Sequence, residues 1–459
     1  MKKFIPVAMT IAGSDSGGGA GIEADLKTFA ALGVHGTVAI TSVTAQNTYA
    51  VTAIYDLPPE MVVKQIETVA EDMGIDAAKT GMLSNAAIIE AVAKTVKRYG
   101  FPLVVDPVMI AKSGAPLLRP EAVEALVKHL IPLATIVTPN RMEAEKLSGI
   151  KIETVEDAKR AAKKIVEELG PQAAIVKGGH IEGDEAVDVL YYNGRFREFR
   201  APRVVSRCTH GTGCSFSAAI TAELAKGQSL EDAIATAKRF ITMAIEYGIE
   251  VGKGHCPVNP MAWLEIRAHQ HEVIENVYRA LDMLVKNSEK VSRYVPEVGM
   301  NIAMAMPYPY AKSVNDVAGV EGRVVRVGKN LVPVGRVRMG GSKHVARVVL
   351  EAMKFNPEIR AALNVKYESI LVEAAKRLGY VVVFVDRREE PEEIKRVEGA
   401  SIPWMVDQAF RRCRCTPDVI YDEGDVGKEP MIRILGKDAV DVVNKLMKII
   451  EEAERLSKL

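Results

Sequence analysis

The chain carries almost no net charge: 60 Lys and Arg against 59 Asp and Glu leave +1 at neutral pH. There is no bulk electrostatic drive toward nucleic acid or an anionic membrane surface. No uninterrupted apolar run is long enough to span a bilayer. Met1-Lys2-Lys3-Phe4 leads directly into a strand-like stretch, Ile5 to Ile11, with no apolar segment followed by a small-residue cleavage site, so no signal peptide is expected. Cysteine is scarce, with five residues at 208, 214, 256, 413 and 415. Cys413 and Cys415 have one residue between them and no second paired set, a spacing that suits neither a zinc knuckle nor a redox pair. Reduced thiols in a cytoplasmic protein are expected. What is present is 459 residues, 48% hydrophobic and 26% charged, the composition of a soluble globular protein of two or more domains.

Short apolar strands alternate with amphipathic helices through the first half. Val7 to Ile11, Thr37 to Val43, Ala77 to Leu83, Leu103 to Val105, Ala134 to Val137 and Ala173 to Val176 read as strands. Ile22 to Leu32, Glu60 to Met73, Ala86 to Tyr99, Glu121 to Leu130 and Val155 to Leu169 read as helices. The alternation predicts a doubly wound α/β architecture, a mostly parallel sheet covered on both faces. In such sheets ligands bind beyond the carboxyl ends of the strands. Gln46, Asp106, Asn140, Glu143 and Lys177 all fall there. One acidic residue at a strand end is usually a cap or turn residue, but several ends with complementary chemistry fit an ATP phosphoryl-transfer site. Asp106, Asn140 and Glu143 can hold Mg²⁺ through water, and Lys177 can meet a phosphate.

Two glycine-rich turns flank this set. The loop Ala12 to Gly21 follows the first strand and opens a helix, but its glycines have neither dinucleotide-fingerprint spacing nor a Walker ending. It marks the approach of a ligand and leaves its identity open. The second turn, Thr209-His-Gly-Thr-Gly-Cys214, opens a run of small residues. Free amides at a helix start, with the positive end of the helix dipole, make an anion site. The amides of Gly211, Thr212, Gly213 and Cys214 can take charge developing on a transferred group. Cys214 in the first turn is expected to have a lowered pKa. Taken alone, the turn reads better as a glycine bend before a buried cysteine.

Together, Ala12 to Lys27, Thr138-Pro-Asn-x-x-Glu143, Lys177-Gly-Gly-His180 and Thr209 to Cys214 resemble the hydroxymethylpyrimidine/phosphomethylpyrimidine kinases of thiamine synthesis (ThiD), members of the ribokinase superfamily. The resemblance covers residues 1–267. It implies two successive ATP-dependent phosphorylations in one pocket, of the pyrimidine alcohol and then of its monophosphate. It further implies that Gln46 binds the aminopyrimidine edge with Gly13, Met82 and Val108 around it, and that Lys177, Gly179 and Thr209 serve ATP. Cys214 stands where most ribokinase relatives place an Asp base, and it carries that role here as an expectation.

The pattern changes after residue 267. A helical stripe (Val273, Ile274, Val277, Leu281, Leu284, Val285) precedes a looser stretch, Met300 to Tyr310. Glu321 to Val327 and Leu331 to Arg338 read as a hairpin crowded with Arg323, Arg326, Lys329, Arg336 and Arg338. The turn Met339-Gly-Gly-Ser-Lys-His344 then opens a helix with Ser342 as its N-cap. The residues are equally consistent with a second anion site and with a solvated basic hairpin. Ile359 to Leu363 and Tyr367 to Leu378 read as helical, Tyr380 to Val385 as a strand, and Trp404 as a core residue. His344 lacks partners at metal-ligand spacing.

This half, 268–459, forms a second, mixed α/β domain. Glu321-Gly-Arg-Val324, Val334-Gly-Arg-Val-Arg338, Gly340 to His344 and Asp418-Val-Ile-Tyr421 resemble the ThiN-type thiamine-phosphate synthase domain. That resemblance implies joining the pyrimidine pyrophosphate to thiazole phosphate, with Arg323, Arg338, Lys343 and His344 on the phosphates. Some relatives of this domain are thiamine-phosphate sensors attached to a DNA-binding module. No helix-turn-helix pattern occurs here, which disfavours a sensor. The partners expected are these small molecules, with no nucleic acid and no membrane. Enzymes of this class are often homodimers, which the sequence leaves open.

Overall fold

The computed structural model describes residues 5–109, 118, 120–179, 183–425 and 427–458. It divides into two compact units, 1–264 and 265–459. Among the described residues no helix is long and apolar enough to cross a membrane.

The first unit is built on strands β1 (Val7–Ala12), β2 (His35–Ile40), β3 (Ser42–Gln46), β4 (Val51–Asp56), β5 (Ala77–Thr80), β6 (Leu103–Val105), β7 (Ile136–Val137), β8 (Ala173–Val176), β9 (Glu185–Tyr192) and β10 (Arg195–Pro202). Eight of them form one sheet in the order β10-β9-β8-β7-β6-β5-β1-β2. All neighbours from β2 to β8 are parallel, and β9 and β10 add an antiparallel edge. The central strands are apolar on both faces because helices cover both. Helices Gly21–Ala31, Thr212–Ala225 and Leu230–Glu246 contribute to one core, around Phe29, Phe216 and Phe240. Helices Pro59–Asp72 and Ala86–Tyr99 contribute to the other, around Ile66, Ile88 and Val92. Each of those buried phenylalanines contributes about 2–3 kcal/mol of transfer free energy.

The structure corrects the sequence reading at several elements. The stretch read as one strand from Thr37 breaks at Thr41, and β3 turns away to pair antiparallel with β4, forming a separate two-stranded flap. The strand β4 is mostly exposed, so it lacks the apolar signal that would have revealed it. The helix read over 121–130 continues from Pro120–Ala125 as a wider, π-type turn over Leu126–Leu130.

The second unit contains β11 (Ile302–Ala305), β12 (Val317–Val320), β13 (Val324–Val327), β14 (Asn330–Pro333), β15 (Val337–Met339), β16 (Ala361–Lys366), β17 (Val382–Phe384), β18 (Val419–Asp422) and β19 (Met431–Gly436). Seven make a sheet in the order β15-β12-β11-β16-β19-β18-β17, largely antiparallel, while β13 and β14 pair separately as a hairpin. The helix Lys343–Phe355 and the helix Ser401–Cys413 pack a core around Val348, Val349, Met405 and Phe410, with Trp404 part-buried against it. The stretch 300–310, read as loose, holds the inner strand β11. The stretch read as helical from Ile359 is largely the inner strand β16. Its alanines and leucine favour a helix locally, but six ladder pairs to β19 and three to β11 override that preference. The strand read to Arg338 is two, β14 and β15, in different sheets.

Candidate active site

The first unit gathers its polar residues where the parallel strands end. Lys177, one residue past β8, places its ammonium 3.2 Å from an oxygen of Asp106, one residue past β6. Thr138, past β7, donates to the same carboxylate oxygen at 3.2 Å. The amino end of the helix Thr212–Ala225 faces this pair: a Cβ on Gly213 would sit 3.3 Å from the Lys177 ammonium and 3.5 Å from Asp106. Gly211, the N-cap, has φ +81°, and a Cβ there would come within 1.9 Å of the Gly19 carbonyl oxygen. The two glycine turns therefore touch, and the helix start opens over the Lys177–Asp106 pair. Thr209 closes the turn, its carbonyl accepting from the Thr212 hydroxyl at 2.7 Å.

Cys214 is the free cysteine among the described residues and is part-exposed. The expectation of a lowered pKa is not met. Burial pushes the thiol up to about 11, against the pull of the Lys79 ammonium and the Gly21 amide. A helix start lowers a thiol pKa by a fraction of what desolvation adds when the group faces packed protein.

Asn140 and Glu143 are joined in a reciprocal capping box at the start of the helix Arg141–Ser148, each side chain accepting from the other's backbone amide. Burial pushes the Glu143 carboxyl up to about 7, with Lys177 opposing and Asp106 reinforcing the shift. Among the described residues no three His, Cys, Asp or Glu side chains cluster as a direct metal cage. Two carboxylates beside a lysine fit an ion that keeps most of its waters.

Of the residues expected around the pyrimidine, Gly13 and Met82 are neighbours: a Cβ on Gly13 would lie 2.8 Å from the Met82 methyl. Val108 follows Asp106, part-buried. The Gln46 amide lies 3.4 Å from His210 Nε2, which in turn lies 2.8 Å from Asp15. Gly179 is exposed, and its carbonyl accepts from Arg203. His180 lies outside the described residues.

Four further residues belong here without having been singled out in the sequence. Burial works against the Asp15 carboxylate, but His210 and the amides of Gly17 and Ala20 outweigh it and hold its pKa below the ordinary value. Asp15 thus ties the first glycine loop to the second. Beneath them Lys79 and Asp25 form a fully buried pair at 3.0 Å, with Thr10 donating to Asp25 at 2.6 Å. Asp15 and His210 sat inside the glycine motifs, where the glycines drew the attention. The signal for the buried pair was a lysine inside the apolar strand β5, which a doubly covered sheet does not tolerate without a partner.

Cys208 and Cys256, 48 residues apart, form a disulfide, and Cys413 is bridged to Cys415. The expectation of reduced thiols is overturned for these four. Folding brings the Cys256 carbonyl to the His210 amide at 3.1 Å, so the two half-cystines flank one stretch of paired backbone. No spacing rule over 48 residues reveals that.

In the second unit, Arg323 and His344 of the predicted set share an electrostatic neighbourhood with Arg347, Arg387 and Arg433. Arg338 is instead paired with Glu321 at 2.8 Å, both half-exposed, and Lys343 is exposed. His344 is itself exposed at its surface, and the protein packed around it, then these four guanidinium groups, hold its pKa below the ordinary imidazole value.

Replacing Lys177 by Met should lower kcat/KM for ATP by roughly 10²-fold, the scale for losing one charge-stabilising donor, with circular dichroism unchanged. An unchanged kcat/KM would remove Lys177 from the site.

The model of the phosphomethylpyrimidine kinase family matches residues 15–259, and that of the thiamine-phosphate synthase ThiN matches residues 276–448. A pyridoxal kinase from Bacillus subtilis, solved as an ADP complex, is 42% identical, covers 56% of this chain and 98% of its own, and superimposes with a TM-score of 0.53. A pyridoxal kinase from Staphylococcus aureus, solved with AMP-PCP and pyridoxal, is 38% identical over 57% of this chain and 96% of its own, with a TM-score of 0.53. The first unit is thus a ribokinase-like kinase. A hydroxymethylpyrimidine/phosphomethylpyrimidine kinase from Bacillus subtilis (strain 168) is 49% identical over 258 residues, 56% of this chain and 95% of that protein. The bifunctional thiamine biosynthesis protein ThiDN from Methanocaldococcus jannaschii is 35% identical over 447 residues, 96% of this chain and 97% of that protein. The chain belongs to the bifunctional ThiDN family, a phosphomethylpyrimidine kinase fused to a thiamine-phosphate synthase domain.

Proposed function

We propose that this chain carries out consecutive steps of thiamine biosynthesis. Its first unit uses ATP to phosphorylate 4-amino-5-hydroxymethyl-2-methylpyrimidine and then converts the monophosphate to the pyrophosphate. Its second unit condenses that pyrophosphate with thiazole phosphate to give thiamine phosphate and pyrophosphate. The observation that carries the reading is the amino end of the helix Thr212–Ala225 opening over the Lys177–Asp106 pair, on a chain related along nearly its whole length to a ThiDN protein.

In this reading Gln46 hydrogen-bonds the aminopyrimidine edge, since an amide both donates and accepts, and Gly13, Met82 and Val108 line the ring. Lys177, Gly179 and Thr209 hold the ATP phosphates. The amides of Gly211, Thr212, Gly213 and Cys214 take the charge that spreads over the transferred phosphoryl group. Asp106 and Glu143, with Asn140 beside them, hold Mg²⁺ through its waters; when bound, the ion neutralises phosphate charge. Arg323 and His344, with Arg338 and Lys343 as accessory cations, serve the phosphates of the second reaction. The proposal includes a cytoplasmic location and small-molecule partners, and a mass measurement in solution decides whether the enzyme is a homodimer.

Cys214 is the proton acceptor of the first phosphorylation. A thiol with a pKa near 11 is almost wholly protonated at neutral pH, so the basic fraction rises about tenfold per pH unit below that value. The kcat for the alcohol should therefore climb with pH across the neutral range. Cys214→Ser should flatten that climb and lower kcat while KM for ATP stays within about twofold, because the amides remain. A KM for ATP that rises as far as kcat falls would make Cys214 structural.

The deciding experiment incubates the full chain with the pyrimidine alcohol, ATP, Mg²⁺ and thiazole phosphate and follows products by mass. Thiamine phosphate from one chain supports both halves. Accumulation of the pyrimidine pyrophosphate alone restricts the second unit to binding, and turnover of pyridoxal in place of the pyrimidine would reassign the first.

A further inference from the structure

The disulfide Cys208–Cys256 takes no part in the chemistry described above, yet it is built into the kinase site. Cys208 directly precedes the turn Thr209 to Cys214. Between Pro202, where β10 ends, and the start of the helix Thr212–Ala225 the chain is irregular. Cys256 lies in a second irregular stretch, which follows the helix Leu230–Glu246 and ends at the helix Ala262–Lys286. The two stretches share little paired backbone. The His210 amide donates to the Cys256 carbonyl at 3.1 Å, and the Val258 amide donates to the His210 carbonyl at 3.0 Å. Irregular segments with few paired amides open at low cost. The bridge is the covalent part of this joint, and its sulfurs are shielded, with Cys208 2% exposed and Cys256 fully buried. Gly248 makes room for it, since a Cβ there would lie 2.2 Å from the Cys208 Cβ and 3.1 Å from its sulfur.

The joint holds the amide cradle on one side and the pyrimidine flap on the other. His210, between the bridge and the cradle, packs on the first glycine loop. A Cβ on Gly19 would lie 2.5 Å from its ring and 3.1 Å from the Pro257 side chain. On the other side, the stretch leading into Cys256 is threaded against Thr48, two residues beyond Gln46 at the end of β3. The Gly254 amide donates to the Thr48 hydroxyl at 3.1 Å, and the His255 amide donates to the Thr48 carbonyl at 2.9 Å. Neither Gly252 nor Gly254 has space for a side chain there, since a Cβ would come within 2.5 Å and 2.3 Å of Thr48. A single cross-link therefore ties the turn that takes the transferred charge to the flap that carries Gln46. Lys177 and Asp106, by contrast, are anchored at strand ends of the sheet.

We propose that the Cys208–Cys256 disulfide is a positioning element of the kinase, which sets the anion turn against the pyrimidine flap and makes phosphorylation depend on the bond being intact. This role rests on the kinase reading of the first unit and goes beyond it. The cross-link removes the states in which the two irregular stretches part. Misplacing reacting groups by about 1 Å costs about 10²-fold in rate, so opening the joint is felt in catalysis before it is felt in the fold. A dithiol reductant breaks the bond. One of its thiolates attacks a sulfur of the bridge, and the S–S electron pair leaves with the other sulfur, which takes up a proton. The second thiol of the reductant then displaces the attacked cysteine. Two electrons and two protons pass to the protein, and the reductant departs as a cyclic disulfide. Because both sulfurs are buried, attack waits on opening of the exposed run Ile249 to Lys253. Pyrimidine seated against Gln46 favours the closed arrangement through Thr48 and slows that attack.

The test treats the full chain, purified without reductant, with excess dithiothreitol and follows each cysteine by alkylation and peptide mass. Kinase constants are measured before reduction, after it, and after reoxidation. Reduction should raise KM for the pyrimidine alcohol about 10-fold and lower kcat about 10-fold, with KM for ATP within about threefold, circular dichroism unchanged and full recovery on reoxidation. Cys208→Ser should show the reduced constants and no response to dithiothreitol. Cys208→Ala with Cys256→Val, an apolar pair for the same buried space, serves if the serine variant fails to fold. The pyrimidine alcohol should slow reduction of Cys208–Cys256 by about fivefold or more and leave the rate at Cys413–Cys415, in the second unit, unchanged. Cys208 and Cys256 alkylated in the untreated protein would overturn the proposal. So would unchanged constants in a chain shown by mass to be reduced, or a fall in kcat with both KM values unchanged, the mark of lost folded protein. Reduction of Cys208–Cys256 at a rate that the pyrimidine does not alter would overturn the link to the flap. A fully oxidised chain that phosphorylates no pyrimidine would sink the kinase reading instead, a result that no reduced-state measurement imitates.

Discussion

Lys79→Met lowers the unfolding free energy of the kinase unit by about 3–5 kcal/mol, the expected cost of stranding one member of a buried ion pair. Lys79 and Asp25 are both fully buried, and the ammonium lies 3.0 Å from each carboxylate oxygen. Burial raises the Asp25 pKa, against Lys79 and the Thr10 hydroxyl, which favour its charge. Burial also works against the Lys79 charge, but Asp25, Cys214 and Asp106 outweigh it and raise that pKa. Removing the ammonium leaves a carboxylate with one hydroxyl donor and no route to water. The measurement is urea unfolding of the full chain, followed by a signal that reports the first unit separately, because two units need not unfold together. The double change Asp25→Leu with Lys79→Met should recover most of the loss, since an apolar pair of similar volume replaces the charges. A loss below about 1 kcal/mol for the single change would mean that water reaches the pair and that it carries little of the fold. Activity gives an independent reading. Lys79 also favours the Cys214 thiolate, so at a given pH the folded variant should phosphorylate the alcohol more slowly, with its pH–rate climb displaced upward.

The second large effect belongs to Gly211→Ala. A methyl group there would meet the Gly19 carbonyl oxygen at 1.9 Å, on a backbone at φ +81°. Left-handed geometry alone costs an alanine roughly 1–2 kcal/mol, and the clash is with backbone, which cannot swing aside as a side chain can. The two glycine turns must separate, carrying the helix-start amides away from Lys177 and Asp106. Rate should fall roughly 10²–10³-fold, the scale for losing preorganised oxyanion donors. Gly213→Ala is the control. Its methyl would meet the Lys177 ammonium at 3.3 Å, the free end of a flexible side chain, so KM for ATP should change more than kcat. Equal losses in both variants would mean that contact between the turns does not set the cradle.

The helix capping of the first unit was written locally. Asn85 with Gly100, and Thr154 with Asp157 and Gly170, begin and end their helices as the residue types require. The strand-end positions of Asp106, Asn140 and Lys177 were legible for the same reason, since a parallel sheet puts its strand ends on one side. The sequence stripe that marks a buried strand is absent from the exposed β4 and misleading in β16, whose residues favour a helix until neighbours are supplied. Cys214 shows the same limit in its chemistry: its place at a helix start was readable, but the sign of its pKa shift depends on how much protein surrounds it.

By itself the sequence determined the alternation of inner parallel strands with helices in the first unit, the two glycine turns, and the strand-end residues, because backbone conformation, capping and amphipathic period act over a few residues. Only the tertiary structure decided which side chains meet: Lys79 with Asp25, Asp15 with His210, Cys208 with Cys256, and Arg387 with Arg433 around His344. Burial and Coulomb energy depend on distance through space, and partners 46 to 195 residues apart along the chain carry no local signature of one another.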